Sequence, residues 1–95
     1  MAEPHEPAQD IEASCAAYAE ARTIYRETGN GPCEGYTLFG WGEVEIEAGR
    51  RGKAHRFFTE AAELFDAAGM ADWRSSALEK AAEAEGRTGR LAETG

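Results

Sequence analysis

The sequence predicts an all-α protein of about four antiparallel helices, and three observations carry that prediction. First, Arg51 to Gly69 places Ala54, Phe58, Ala61, Phe65 and Ala68 in one stripe at helical spacing, with Phe57 and Leu64 beside it. Second, a shift of 40 residues lays one part of the chain on another, so that Ser14, Ala17, Tyr18, Ala21, Ile24 and Tyr25 meet Ala54, Phe57, Phe58, Ala61, Leu64 and Phe65. Third, glycines fall at 29, 49, 69 and 89, the even punctuation left by helices of similar length joined by tight turns. No stretch alternates polar and apolar residues as a half-buried strand does.

Residues 1–9 carry two prolines and no periodicity and read as a disordered leader. Asp10 is suited to cap a first helix running from Ile11 to Gly29, whose stripe is Ser14, Tyr18, Ala21, Tyr25 and Thr28. A second helix follows from Pro32 to Ala48. Proline fits its first turn because the missing N–H has no partner there in any case. The stretch from Arg51 to Gly69 is the third helix. The fourth, from about Asp72 to Glu85, repeats the second at a shift of 40, Leu38 meeting Leu78, Gly42 meeting Ala82 and Glu45 meeting Glu85. Alanines replace the larger residues of the second helix, so the fourth is expected to anchor on Trp73 and Leu78 and to shield the end of the stack. The helical domain is thus bounded at 10–86, and 87–95, with two glycines and a single large apolar residue, reads as a frayed tail.

With 95 residues there is room for one small domain of modest stability. A net charge of −8 argues against nucleic acid, because phosphate binding needs clustered Lys and Arg. No apolar run approaches the roughly 18 residues that span a bilayer, and the opening residues lack the features of a signal peptide. The expectation is a cytoplasmic protein with no membrane partner. Cys15 and Cys33 would lie on antiparallel helices roughly 20 Å apart at the helical rise per residue, and are expected to stay free thiols.

The spacing of Leu38, Gly42, Ala54, Phe58 and Ala61 resembles the small and large packing positions of the tetratricopeptide (TPR) repeat. The second helix resembles that repeat's helix A and the third its helix B, with the first and fourth as the neighbouring B and A. The resemblance covers roughly residues 11–85 and implies a right-handed TPR-like stack of helical hairpins. Departures are Trp41 where the family prefers leucine, Glu45 where it prefers an aromatic, Asp66 where it favours proline, and a period of 40 rather than about 34.

No motif offers a seat for chemistry. His5 and His55 stand at no ligand spacing to either cysteine, and neither has a glutamate three residues before it, so no metal is expected. Nucleophile elbows, phosphate loops and dinucleotide fingerprints are missing, so no cofactor and no enzymatic activity are expected. The remaining reading is a non-enzymatic protein–protein interaction module, an adaptor that binds a partner protein or peptide. The alternative is a homo-oligomeric assembly protein whose apolar groove is its own dimer interface.

The TPR resemblance implies that ligands lie along the wall of A helices, which carries over to Tyr36, Phe39, Glu43, Ile46 and Glu47 of the second helix. Leu38, Trp41, Gly42 and Glu45 already form that helix's packing stripe. Tyr36, Phe39 and Ile46 are then either a groove for a partner's apolar anchor, rimmed by Glu43 and Glu47 to select Lys or Arg, or side chains packed on the first or fourth helix. The basic run Arg50, Arg51, Lys53 and Arg56 is either a capping and salt-bridging set for Glu45, Glu47 and Glu60 or a second patch for an acidic partner. An unpartnered flank on the fourth helix predicts self-association or docking on a larger protein.

Overall fold

In a computed structural model, residues 7–86 are described, and they form four α-helices packed in sequence order: α1 (Pro7–Glu27), α2 (Gly31–Glu47), α3 (Arg51–Ala67) and α4 (Ala71–Glu85). Neighbours run antiparallel. Gly35 lies on Phe65 and Gly42 on Phe58, while Cys15 meets Glu45 and Arg26 meets Glu34. Among the described residues there is no strand.

The start of α1 corrects the expected leader. The helix begins at Pro7, a position where proline costs no hydrogen bond, and Asp10 sits inside its first turn, complementing the helix dipole rather than capping. The expected frayed tail, 87–95, lies outside the described residues, as do residues 1–6 of the leader.

The turns are built alike. At each of the three junctions a glycine, Gly29, Gly49 or Gly69, takes φ between 72° and 82°, the left-handed region a Cβ would penalise. The following residue, Asn30, Arg50 or Met70, donates its N–H to a carbonyl five residues back and then caps the next helix. Only Asn30 adds a side-chain cap, accepting from Cys33 N at 3.2 Å. The fourth helix ends earlier than the even spacing suggests, at Gly86 (φ 73°), ahead of Gly89.

The core lies among α2, α3 and α4. Leu38, Ala54, Phe58, Ala61, Phe65, Ala77 and Ala84 are all fully buried. Bare backbone on α2 makes this packing possible: a Cβ added at Gly42 would stand 2.8 Å from the Phe58 ring, and one at Gly35 would stand 2.8 Å from Phe65. Trp41 stacks on Phe57 with centroids 4.2 Å apart. Two expectations need correction. Ala68 belongs to the turn and is exposed, and α4 is anchored by Ala77, Ala81 and Ala84 together with Trp73, which packs among Tyr36, Phe39 and Phe65, while Leu78, 40% exposed, stays outside the buried core. Small side chains hold α4 close because its backbone can approach α3, whereas Leu78 stays at the rim of that contact, beside Thr59, Ala62 and Glu63 of α3.

α1 is held differently. Its stripe residues Ser14, Tyr18, Ala21 and Tyr25 are only half-buried, and Ile24 is 51% exposed. Polar ties do much of the fastening, and they converge on two buried carboxylates of α2. Glu34 receives Arg26 Nε at 3.1 Å with Arg22 Nε 3.8 Å away, and Arg22 Nη2 continues to Glu60 of α3 at 3.2 Å. Glu45 accepts from Arg50, from Trp41 Nε1 at 3.1 Å and from the Cys15 thiol at 3.3 Å. Burial alone would raise the Glu45 carboxyl's pKa; the hydrogen bonds from Arg50 and Cys15, with the charges of Arg50 and Lys53, hold it below its ordinary 4.5.

The 40-residue match in sequence has a counterpart in space. Cys15 pairs with Glu45, and their mates His55 and Glu85 pair at 3.1 Å between Nε2 and Oε2. In both cases a residue in the first half of one helix reaches a glutamate near the end of the next.

Candidate functional site

A cleft of about 510 Å³ opens beside the second half of α2, within the usual range of ligand sites. Glu43, Ile46 and Glu47 of α2 form one wall, Arg51 of α3 one end, and Lys80 and Glu83 of α4 the other wall, with Phe58 beneath. The helical period explains the first wall, since residues three and four apart share a face. On the partner wall, Glu83 stands 40 residues after Glu43, the offset of the sequence match.

Three of the five sequence-derived groove residues therefore meet in this cleft, and two do not. Tyr36 and Phe39 are seated against α4: Trp73 lies 4.9 Å from Tyr36 and 5.6 Å from Phe39 between ring centroids. Phe39 also packs edge-on against Phe58 at 5.4 Å, and Tyr36 lies 5.4 Å from Phe65. Of the two arrangements left open by sequence, these rings take the packing one, although Tyr36 keeps 41% of its surface exposed. Ile46 is not packed in this way: it is 38% exposed and lines the cleft.

The cleft carries three carboxylates and two cations. Lys80 Nζ stands 3.7 Å from Glu43 Oε2, a solvent-exposed pair worth under about 1 kcal/mol. Glu47 and Glu83 make no ion pair among the described residues. The site thus offers an apolar patch with unsatisfied negative charge on both sides.

The basic run does not form one patch. Arg50 turns to Glu45 and lies 3.7 Å from Cys15 Sγ, Arg51 enters the cleft, and Lys53 and Arg56 are exposed. Glu60, expected to answer this run, is taken by Arg22 instead. Sequence reasoning missed Arg51, Lys80 and Glu83 as cleft residues. The match of Glu83 to Glu43 was the available signal, while the approach of Arg51 and Lys80 depends on where α3 and α4 lie relative to α2.

Among the described residues no three His, Cys, Asp or Glu side chains converge as a metal site would require, and no helix is long and apolar enough to cross a membrane. Cys15 and Cys33 are both half-buried and outside any disulfide. In comparisons with known proteins, no family model, curated protein or solved structure matches this chain, so the reading of the site rests on its own geometry.

Proposed function

We propose that the protein is a non-enzymatic, TPR-like interaction module whose cleft between α2 and α4 holds a segment of a partner protein bearing an apolar side chain beside Lys or Arg. The observation that carries this reading is the exposure of Ile46 in a cleft where Glu47 and Glu83 stand outside any ion pair among the described residues, leaving three carboxylates against the two cations Arg51 and Lys80. An apolar anchor would cover Ile46, and a neighbouring cation would meet the carboxylates, adding specificity more than raw affinity. The overall charge of −8 steers basic segments toward the surface.

Selection of a displayed random-peptide library on the wild type and on I46S tests the proposal. Peptides enriched on the wild type should pair an aliphatic or aromatic residue with Lys or Arg. They should bind I46S and E47K about tenfold more weakly, and weaken further at high salt. A library that yields no enrichment, or peptides that bind I46S as well as the wild type, would refute it.

A further inference from the structure

Among the described residues, the large exposed apolar side chains are Ile24, Tyr36, Ile46, Trp73 and Leu78. Tyr36 and Trp73 pack on one another while keeping 41% and 40% of their surface exposed, and Ile46 belongs to the cleft; Ile24 on α1 and Leu78 on α4 lie outside both groups. Their positions are linked by the internal repeat. Ile24 is the mate of Leu64, and Leu78 is the mate of Leu38. Within the chain, Leu38 and Leu64 line one recess where α2 meets α3. The two uncovered residues are therefore the outer copies of a pair that is already joined inside the molecule.

We infer that a second copy of this chain docks head to tail, its α1 lying on the exposed face of α4 as α3 lies on α2. The contact would continue the α2–α3 interface across the molecular boundary: Leu78 would meet Ile24 of the second copy, and Ser75 and Ala82 would face Tyr25 and Tyr18, as Gly35 and Gly42 face Phe65 and Phe58. Alanine and serine in place of glycine set the two helices slightly farther apart than α2 and α3.

Charge points to the same arrangement. At the α2–α3 recess two acids, Glu34 and Glu60, face each other and need Arg22 between them. Their mates are Arg74 and Glu20, which are opposite in charge and would pair directly. Among the described residues Arg74 pairs with Asp66 alone, at 3.5 Å, with both side chains about half or more exposed. Such a contact joins unlike surfaces, so it is heterologous and does not stop at two copies unless the rotation closes a ring.

Sedimentation over a range of concentrations tests this with the full chain. Wild-type mass should rise with concentration past that of a dimer. L78E and I24E, each altered on one face only, should associate at least about tenfold more weakly. Their equimolar mixture should form a dimer that grows no further, because one good α4 face and one good α1 face remain. R74E and E20R should each weaken association, and the double variant R74E/E20R should restore it, which separates a lost contact from a lost fold. A wild type that stays monomeric to about 1 mM would overturn the inference. So would a mixture that fails to pair, or association abolished by I46S and untouched by L78E, which would place the interface in the cleft.

Discussion

The two edge helices, α1 and α4, each pack mainly on one neighbour, α2 and α3 respectively, yet they are fastened by different physics. α4 is held chiefly by three buried alanines and by Trp73 among the rings of Tyr36, Phe39 and Phe65, with the exposed pairs of Arg74, Lys80 and Glu85 to neighbouring helices adding little. α1 buries no described residue to the same degree; beside the Tyr18 ring lying on Gly40, it is tied by Arg22, Arg26 and Cys15 reaching Glu34 and Glu45. Apolar contact is insensitive to moderate salt and to pH, while partly exposed charge pairs respond to both. The difference teaches that similar edge helices can differ in what loosens them. α1 should be the first to detach under acid or salt, and α4 should stay with the core.

The largest expected effect tests the core that both edges lean on. Phe58→Ala removes a fully buried ring between Gly42 and the alanines of α4, and should cost about 3–5 kcal/mol, with every helix lost together. Tyr18→Ala, its mate in α1, should cost clearly less because Tyr18 is half-buried. Urea denaturation of both variants makes the measurement, and equal losses would break the comparison.

Next in size is Gly42→Val. The new side chain would collide with Phe58, forcing α2 and α3 apart at a cost of about 1–3 kcal/mol, whereas Ala82→Val at the matching place on α4 should cost under about 1 kcal/mol. Thermal denaturation separates the two.

Glu45→Gln addresses α1 itself. It exchanges a charge-assisted hydrogen-bond acceptor for a neutral one and should cost about 1.5–3 kcal/mol. Because the folded-state carboxyl lies below its ordinary 4.5, the ionised form stabilises the fold at pH above 4.5, and this contribution is lost as pH falls through the lower folded value. Hydrogen exchange should show α1 amides losing protection in the wild type on acidification below pH 4.5, with α3 and α4 protected longer. Glu45→Gln should flatten that dependence. Uniform loss across all four helices would contradict it.

Salt is the smallest perturbation. Raising it from about 0.1 to 1 M shrinks the screening length to roughly 3 Å and should weaken the Arg22–Glu60 and Arg26–Glu34 ties by up to about 1 kcal/mol. Exchange in α1 should quicken while that in α4 does not.

Helix number, order and direction were legible in the sequence because they follow from local rules. A 3.6-residue apolar period marks each helix, and a glycine free to take positive φ marks each junction. The buried stripe of α2 was legible too: Leu38 and Gly42 are buried as their spacing implies, and Glu45 is buried among them. The site was legible only in part. Glu43, Ile46 and Glu47 share a face by helical geometry, so their convergence could be read from numbers alone.

Whether Tyr36 and Phe39 faced a groove or a neighbour depended on where Trp73 landed, a contact between residues far apart in sequence. The same holds for Arg51 and Lys80 entering the cleft and for Glu60 choosing Arg22 over the nearby basic run. The sequence by itself determined the helices, their turns and the repetition of one pattern along the chain, since each rests on residues within a few turns of each other. Only the tertiary structure decided which copy of each repeated position is covered. Leu38 and Leu78 share a place in the pattern, but burial belongs to the helix that lies across them, and only Leu38 is covered completely.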